Sequence, residues 1–436
     1  MKRTLTKVSK TSKEDNKLIW KIHHWAGFYA GIVIAVLCLT GSVAVFIPEI
    51  DYLIQKMHYS ASSTAAEEWH FERSLNKLSL KYPGYQLLRI EFPDKPGHAG
   101  IIQINRLAFF VDMGRDELLG SRNAQNSVAN YLRQIHVRLY EGYWGRYFVG
   151  LAGICFVVVT ITGLMIYGKF MKRQRFPEVR KERGLRIILA DWHKLLGIAA
   201  LAFNLVIAIT GAWLGLQGWF KVKNPAQFKA PIHMDEAADL KVTINWQDAF
   251  RSSAKNFPDL LLRYAVPSGD GSGTISFFGN IKGQIYERNI NRLVLSKTSL
   301  EPLYKYDVRE KPFWHKFYFV QEALHFGDYG GIALKILYAA LGLVASFLSI
   351  SGFIIYFFRT EKKAKRKTSP MKITFLYSVL IILLLLVVAL VSTLIGYSTA
   401  AYIMAIVIDG GLLVLIVYFI AKYFLGKFRK IKVTTI

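Results

Sequence analysis

Apolar positions in this chain gather into long runs separated by polar stretches. Six runs, at 25–47, 146–167, 195–216, 331–358, 373–395 and 400–421, are long and almost free of charge. A helix of that length and character crosses the hydrocarbon core of a bilayer. Two polar segments interrupt them, 48–131 and 217–323, each long enough to fold as a small unit. Within 71–122 the pattern predicts a helix followed by short strands. YQLLRIEFPD (85–94) and AGIIQINRLAFFVDMGRDELLG (99–120) alternate apolar and polar positions, with turns at Pro93-Asp94 and Met113-Gly114. The second polar segment repeats the scheme. INWQDAFRSSAKNF (244–257) reads as a helix, and LLLRYAVP (260–267), GTISFFG (273–279) and GQIYERN (283–289) as strands around glycine-rich turns. Neither segment contains a legible nucleophile–base pair or metal cluster, so both read as binding or shaping modules.

The expected fold is therefore a membrane all-α bundle of six transmembrane helices, the first four forming a duplicated two-helix unit, with two small external α+β domains. A basic arm (1–24) precedes the first span (25–47), and the first external domain covers 48–131. The second span with its external extension is 132–167, a basic loop is 168–194, and the third span is 195–216. The second external domain covers 217–323, followed by the fourth span at 324–358, a basic loop at 359–372, two further spans, and a tail at 422–436.

Charge fixes the expected orientation. The arm, the two short loops and the tail hold 28 Lys and Arg against six acids, a net of +22, whereas the rest of the polar chain nets only +5. Basic excess in short loops is the positive-inside pattern. It puts both termini in the cytoplasm and both polar domains outside, and it accounts for the overall +26 without nucleic-acid binding. The first run is longer than a signal-peptide core and reads as an uncleaved helix. The cysteines, Cys38 and Cys155, both lie inside apolar runs and supply neither a disulfide framework nor a thiolate metal site. Trp20, Trp25, Trp144, Trp192, Trp213 and Trp219 read first as interfacial anchors.

Spans one to four contain an internal repeat. His23 is followed by Gly27 and by Thr40-Gly41; His193 is followed by Gly197 and by Thr210-Gly211. His136 precedes Gly153 and Gly163 at the offsets at which His325 precedes Gly342 and Gly352. The small residues read as helix-packing positions, compatible with room for a flat macrocycle. The last two spans have no counterpart.

Of the ten histidines, His58, His70, His98 and His233 lie in the polar segments and read as surface residues. His315 either faces an external ligand or caps the approach to the fourth span. His23, His24 and His193 fall at the cytoplasmic mouths of spans, and His136 and His325 at the external mouths. Ionisable groups at membrane depth are costly and usually face the bundle interior or a ligand. Two imidazoles from facing helices suit the two axial positions of haem iron, whereas zinc wants three or four convergent ligands. The expected pairs are His23 with His193 and His136 with His325. His23 reproduces the offsets of His193 and His24 does not; neighbours on a helix point about 100° apart, so one of the two serves. Asp409, beside Gly410-Gly411 in the sixth span, is either a group for proton movement or quinone contact, or a buried protonated acid at a kink.

The segments HHWAGFYAGIVIAVLCLTGSVAVFIPEI (23–50), LRQIHVRLYEGYWGRYFVGLAGICFVVVTITGLMIY (132–167), DWHKLLGIAALAFNLVIAITGAWL (191–214) and LHFGDYGGIALKILYAALGLVASFLSISGFIIYFF (324–358) resemble the bacterial PepSY-associated transmembrane-helix family over about residues 18–360. The resemblance implies PepSY-like external domains and an inner-membrane reductase with two haem b groups on His23, His193, His136 and His325. It also implies a ferric siderophore, or another external electron acceptor, as the partner. No nicotinamide or flavin fingerprint is present, so the expected electron donor is a quinone or another protein, cytoplasmic or membrane-bound. A competing reading is a non-enzymatic membrane module whose external domains bind or restrain an envelope peptidase or other partner. A metal or siderophore permease is a third reading, disfavoured by the scarcity of intramembrane charge.

Overall fold

The computed structural model describes residues 2–62, 68–95, 97–140, 142–170, 178–220, 238–239, 244–268, 273–285 and 289–361, with isolated positions between 395 and 407. Apart from those positions, the fifth and sixth expected spans, with Asp409, lie outside the described residues, as does His233.

The first half of the repeat comprises α1 (Lys2–Ala44), α2 (Ile47–His58), α3 (Glu72–Lys81), strands β1 (Gln86–Glu91), β2 (Gly100–Ile104), β3 (Leu107–Asp112) and β4 (Glu117–Asn123), then α4 (Val128–Arg138) and α5 (Gly142–Phe170). The second comprises α6 (Leu185–Ala199), α7 (Leu201–Leu216), β5 (Ala238–Asp239), α8 (Trp246–Asn256), β6 (Leu260–Pro267), β7 (Thr274–Ile281), β8 (Asn291–Ser296), β9 (Pro302–Tyr306), α9 (Phe313–Phe326) and α10 (Gly331–Glu361).

Segments Lys17–Ala44, Trp144–Tyr167 and Asp328–Tyr356 are long and apolar enough to cross a bilayer, and α6 with α7 makes a fourth span if the bent pair counts as one. The outer surface of these helices is apolar: Tyr29, Phe148, Leu151, Ile161, Ile336 and Leu337 are all exposed. A helix apolar all round demands lipid on its outside. Trp25, Trp144 and Trp219 are also exposed, as interfacial anchors would be. Inside the bundle the core is built from small and medium side chains, Ala30, Ile34, Cys38, Phe156, Ala208 and Ala345. A Cβ on Gly153 would lie 2.8 Å from the Ala212 amide nitrogen, and Gly342 meets Ser42 at the corresponding place. These two glycines are packing positions between the halves.

The structure departs from the sequence pattern at the third span. Its helix starts at Leu185 and breaks at Ala200, where α6 and α7 diverge by 72°. The apolar run shows no proline there; Gly197, one turn earlier, weakens the helix locally. The second and fourth spans are also articulated. Leu139 and Tyr140 take φ of 47° and 65°, separating α4 from α5, and Gly327 takes φ 64° at the end of α9. His136 and His325 therefore sit on short helices set before the spans rather than on the spans themselves.

The polar segments do not form two separate modules. Their strands join in one antiparallel sheet of nine, ordered β4-β3-β2-β1-β6-β7-β8-β9, with β5 beside β1. The halves meet where β1 pairs with β6, Ile90 opposite Ala265. The order is palindromic about that seam, as a duplicated unit related by a two-fold gives. A continuous core unites Trp69, Phe71 and Leu78 of the first half with Trp246, Phe250 and Phe277 of the second. Neither half buries its apolar face alone, which the alternation in each segment does not reveal. Most expected elements form, with LLLRYAVP as β6. The exception is GQIYERN: Gly283 and Asn289 adopt φ of 80° and 54°, and the next strand is Asn291–Ser296. Carboxylates fasten the ends. Asp116 accepts from the amides of Arg73 and Ser74 at 2.7 and 2.8 Å, satisfying the first turn of α3.

Two basic residues ten positions after the α4 and α9 histidines tie the halves together. Arg146 donates twice to the Leu214 carbonyl, at 3.0 and 2.7 Å. Lys335, almost wholly buried, meets Glu49 at 2.7 Å. At the other end, buried Asp191 receives Arg180 and Lys194, both at 2.8 Å.

Candidate functional site: four clasped histidines

Each of the four candidate histidines is held by a hydroxyl-glycine dipeptide on a neighbouring helix. His23 Nδ1 lies 3.0 Å from Thr162 Oγ1, and His136 Nδ1 lies 3.1 Å from Thr40 Oγ1. His193 Nδ1 lies 2.9 Å from Ser351 Oγ, and His325 Nδ1 lies 3.0 Å from Thr210 Oγ1. The exchange is reciprocal within each half. The first span holds the histidine that precedes the second, and the second holds the histidine of the first; the third and fourth spans do the same.

The hydroxyls fix the tautomer. Each has one proton and gives it to its own helix: Thr40 to the Val36 carbonyl at 2.8 Å, Thr162 to Val158 at 2.6 Å, Thr210 to Val206 at 2.6 Å and Ser351 to Leu348 at 3.1 Å. Toward the imidazole the oxygen is then an acceptor, so Nδ1 carries the hydrogen and donates. That leaves the lone pair on Nε2, the state in which a neutral imidazole coordinates metal.

The glycines let the rings lie against the helices. A Cβ at Gly41 would stand 2.9 Å from His136 Cε1, at Gly211 3.1 Å from His325 Cε1, and at Gly163 and Gly352 3.3 Å from Cε1 of His23 and His193. The sequence reading assigns these glycines and threonines to packing; their contacts are with the histidines. Thr162 and Ser351 carry no role in that reading, yet the signal was present. Each is a Thr/Ser-Gly step in an apolar helix, falling directly before the glycine that the repeat marks.

Across the halves, one pair of these rings comes together. The rings of His136 and His325 have centroids 6.2 Å apart at 42°. His23 and His193 lie within electrostatic reach of one another. His24 packs elsewhere, 5.8 Å from Trp20 and 5.4 Å from Tyr356. On unbroken α1, Thr40 follows His23 by 17 residues, so the two levels stand about 25 Å apart at 1.5 Å per residue. Among the described residues no group of three or more His, Cys, Asp or Glu side chains gathers to hold a metal ion. What the structure brings into ring contact is the His136–His325 pair.

At the sheet end the spacing is one that a metal atom between two imidazoles would need. Two metal–nitrogen bonds of about 2 Å and the radii of two imidazoles add to a centroid separation of roughly 6.3 Å, which the His136–His325 spacing matches. The other sequence candidates lie apart: His315 is 3.5 Å from the Tyr306 hydroxyl, His70 is 3.4 Å from the Gln247 amide, His58 lies tilted against Tyr59, and His98 bonds Asp94. Both cysteines are free thiols.

A family model described as the PepSY-associated TM region matches residues 20–359. Among curated proteins, the chain is 25% identical over 246 residues to a Pseudomonas aeruginosa protein named "Uncharacterized protein PA4219". The match covers 52% of this chain and 62% of that protein.

Proposed function

The chain belongs to the PepSY-associated transmembrane family, and on that premise we propose that it is an inner-membrane electron-transfer protein carrying two haem b groups. His136 and His325 would hold one, at the sheet end of the bundle, and His23 and His193 the other, at the basic end. Iron ligated by two imidazoles has no open position and supplies one-electron transfer rather than oxygen chemistry.

The protein's own residues supply position and insulation. Thr40, Thr162, Thr210 and Ser351 keep Nδ1 protonated and Nε2 available. The glycines beside them set ring placement, and the apolar helices exclude water from both levels. The acceptor in this reading is external, ferric iron in a siderophore being the preferred class; one electron lost by the donor turns one Fe(III) into Fe(II). A quinol donor would release two electrons and two protons for every two ferric ions.

The observation supporting this most strongly is the facing of His136 and His325 from opposite halves of the repeat, both clasped through Nδ1. The test is to purify the His325→Ala variant. It should lose the haem at the sheet end and the reduction of external ferric chelates while keeping the haem at the basic end. Unchanged haem content would overturn the assignment.

A further inference from the structure

Helix α9 runs antiparallel to α7, and two contacts fix its depth. His325 Nδ1 meets Thr210 Oγ1 at 3.0 Å, and the Tyr318 hydroxyl donates to Gln217 Oε1 at 3.4 Å. The same number of residues separates the two contacts on each helix, a rise of about 10 Å. Gln217 caps the sheet end of α7, and the exposed side chains of Trp219 and Phe220 follow it. Phe317 therefore stands level with the end of that span, and Phe313 and Trp314 about one turn further out, while His325 lies about 10 Å deeper.

Phe313, Trp314 and Phe317 fall within about 100° of one another around α9. They are 66%, 72% and 53% exposed, and their rings touch. Phe313 stacks on Phe317 at 5.9 Å, and Trp314 meets Phe317 edge-on at 6.0 Å. The other side of α9 is committed to the fold, with Phe319 packed among Ile290, Tyr306 and Val308. Glu322, the acid of this helix, points about 180° away from Phe313, whereas Lys316 flanks Phe313 at about 60°. Duplication does not demand the aromatic face: at the same offsets before His136 the first half has Ala124, Gln125 and Val128. Soluble surfaces rarely expose a contiguous patch of this kind, and such patches mark contacts with protein or membrane. Its neighbours at the same level decide between the two. Exposed Trp144 connects through Tyr147 to Trp219 by ring contacts of 6.1 and 5.7 Å. The α9 aromatics continue this belt at the end of the apolar spans, where aromatic side chains favour the lipid boundary.

We propose that Phe313, Trp314 and Phe317 sit in the headgroup–acyl boundary of the bilayer leaflet at the sheet end, so that lipid anchors the outer end of the helix that carries His325. The lipid contact requires no haem and is independent of the electron-transfer reading above.

The test places single nitroxide labels on the full-length protein in nanodiscs of phosphatidylethanolamine and phosphatidylglycerol, after Cys38→Ala and Cys155→Ala. Labels introduced by Trp314→Cys and by Phe317→Cys should collide with oxygen and be shielded several-fold from a water-soluble nickel chelate. The reference is a label introduced by Leu80→Cys, at an exposed position of α3. Without any label, phosphatidylcholine brominated near its headgroup should quench the tryptophan emission of the wild type more than that of the conservative variant Trp314→Phe. Labels on α9 as open to nickel as the one on α3 would overturn the proposal, as would equal quenching in wild type and variant. Labels shielded from nickel and oxygen alike would also overturn it, because protein, either a second copy or the last two spans, would then cover this face.

Discussion

The two halves of the repeat solve one problem with different backbones. In the first, α1 runs unbroken from Lys2 to Ala44 and carries both His23 and the Thr40-Gly41 clasp. In the second, the same two features are split between α6 and α7, which diverge by 72°. The link before the second span uses Leu139 and Tyr140 at positive φ, whereas the link before the fourth uses Gly327. Arg146 grips a backbone carbonyl where Lys335 grips a carboxylate. Through all of this the four Nδ1–hydroxyl distances stay between 2.9 and 3.1 Å. Helix path, linker and inter-half tie differ between the copies, and the presentation of imidazole does not. That constancy supports the reading of the four histidines as a duplicated ligand site.

The comparison can be broken most sharply by removing one histidine from each level. His136→Ala and His23→Ala should each reduce haem from two per chain to one, at opposite ends, which pyridine haemochrome assay and redox titration would resolve. Equal and complete loss in both variants would mean that the levels are not independent. The next effect concerns the clasps. Gly41→Val puts a branched side chain where even a Cβ would stand 2.9 Å from His136, and should abolish the sheet-end haem. Gly163→Ala, at 3.3 Å from His23, should only shift the spectrum at the basic end.

Smaller again is the loss of a hydroxyl. Thr210→Val leaves a buried Nδ1–H of His325 without an acceptor, at a cost of about 1–3 kcal/mol, read as roughly five- to 150-fold weaker haem retention at that level. Thr210→Ser should restore it, because Ser351 already serves His193. Lys335→Met should lower stability by about 1–2 kcal/mol, since Glu49 is partly exposed and water replaces much of the lost pairing; thermal melts would show it without change in haem content.

The smallest effect is one of pH on the sheet. Burial alone would raise the Asp112 pKa, but hydrogen bonds from Ser62, Gly114 and Arg115 outweigh it and lower the value. A depressed carboxylate stabilises fully above its unfolded value of 3.8, and the contribution disappears as pH falls below that point. Unfolding curves of wild type and Asp112→Asn should therefore differ at pH 7 and converge in acid.

Much of this architecture is legible in the sequence because the relevant forces are local. Apolar run length marks spans, alternation marks strands, and equal spacings expose the duplication that aligns His23 with His193 and His136 with His325. Choosing His23 over His24 follows from those spacings, and the structure turns His24 toward Trp20 and Tyr356. Long-range features are not written in such patterns. The β1–β6 seam depends on two segments some 170 residues apart, and either segment alone reads as a complete small domain. The break at Ala200 lies in a run with uniform hydropathy. Thr162 and Ser351 go unmarked because a hydroxyl bonded to its own helix looks the same in sequence whether or not a histidine leans on it.

The most direct test of the paired-histidine account is the visible absorption spectrum of the purified full-length protein, expressed with ample haem precursor. The account predicts a Soret band and reduced α-band of b type, quantifying to two haems per chain. A colourless protein under those conditions would contradict it.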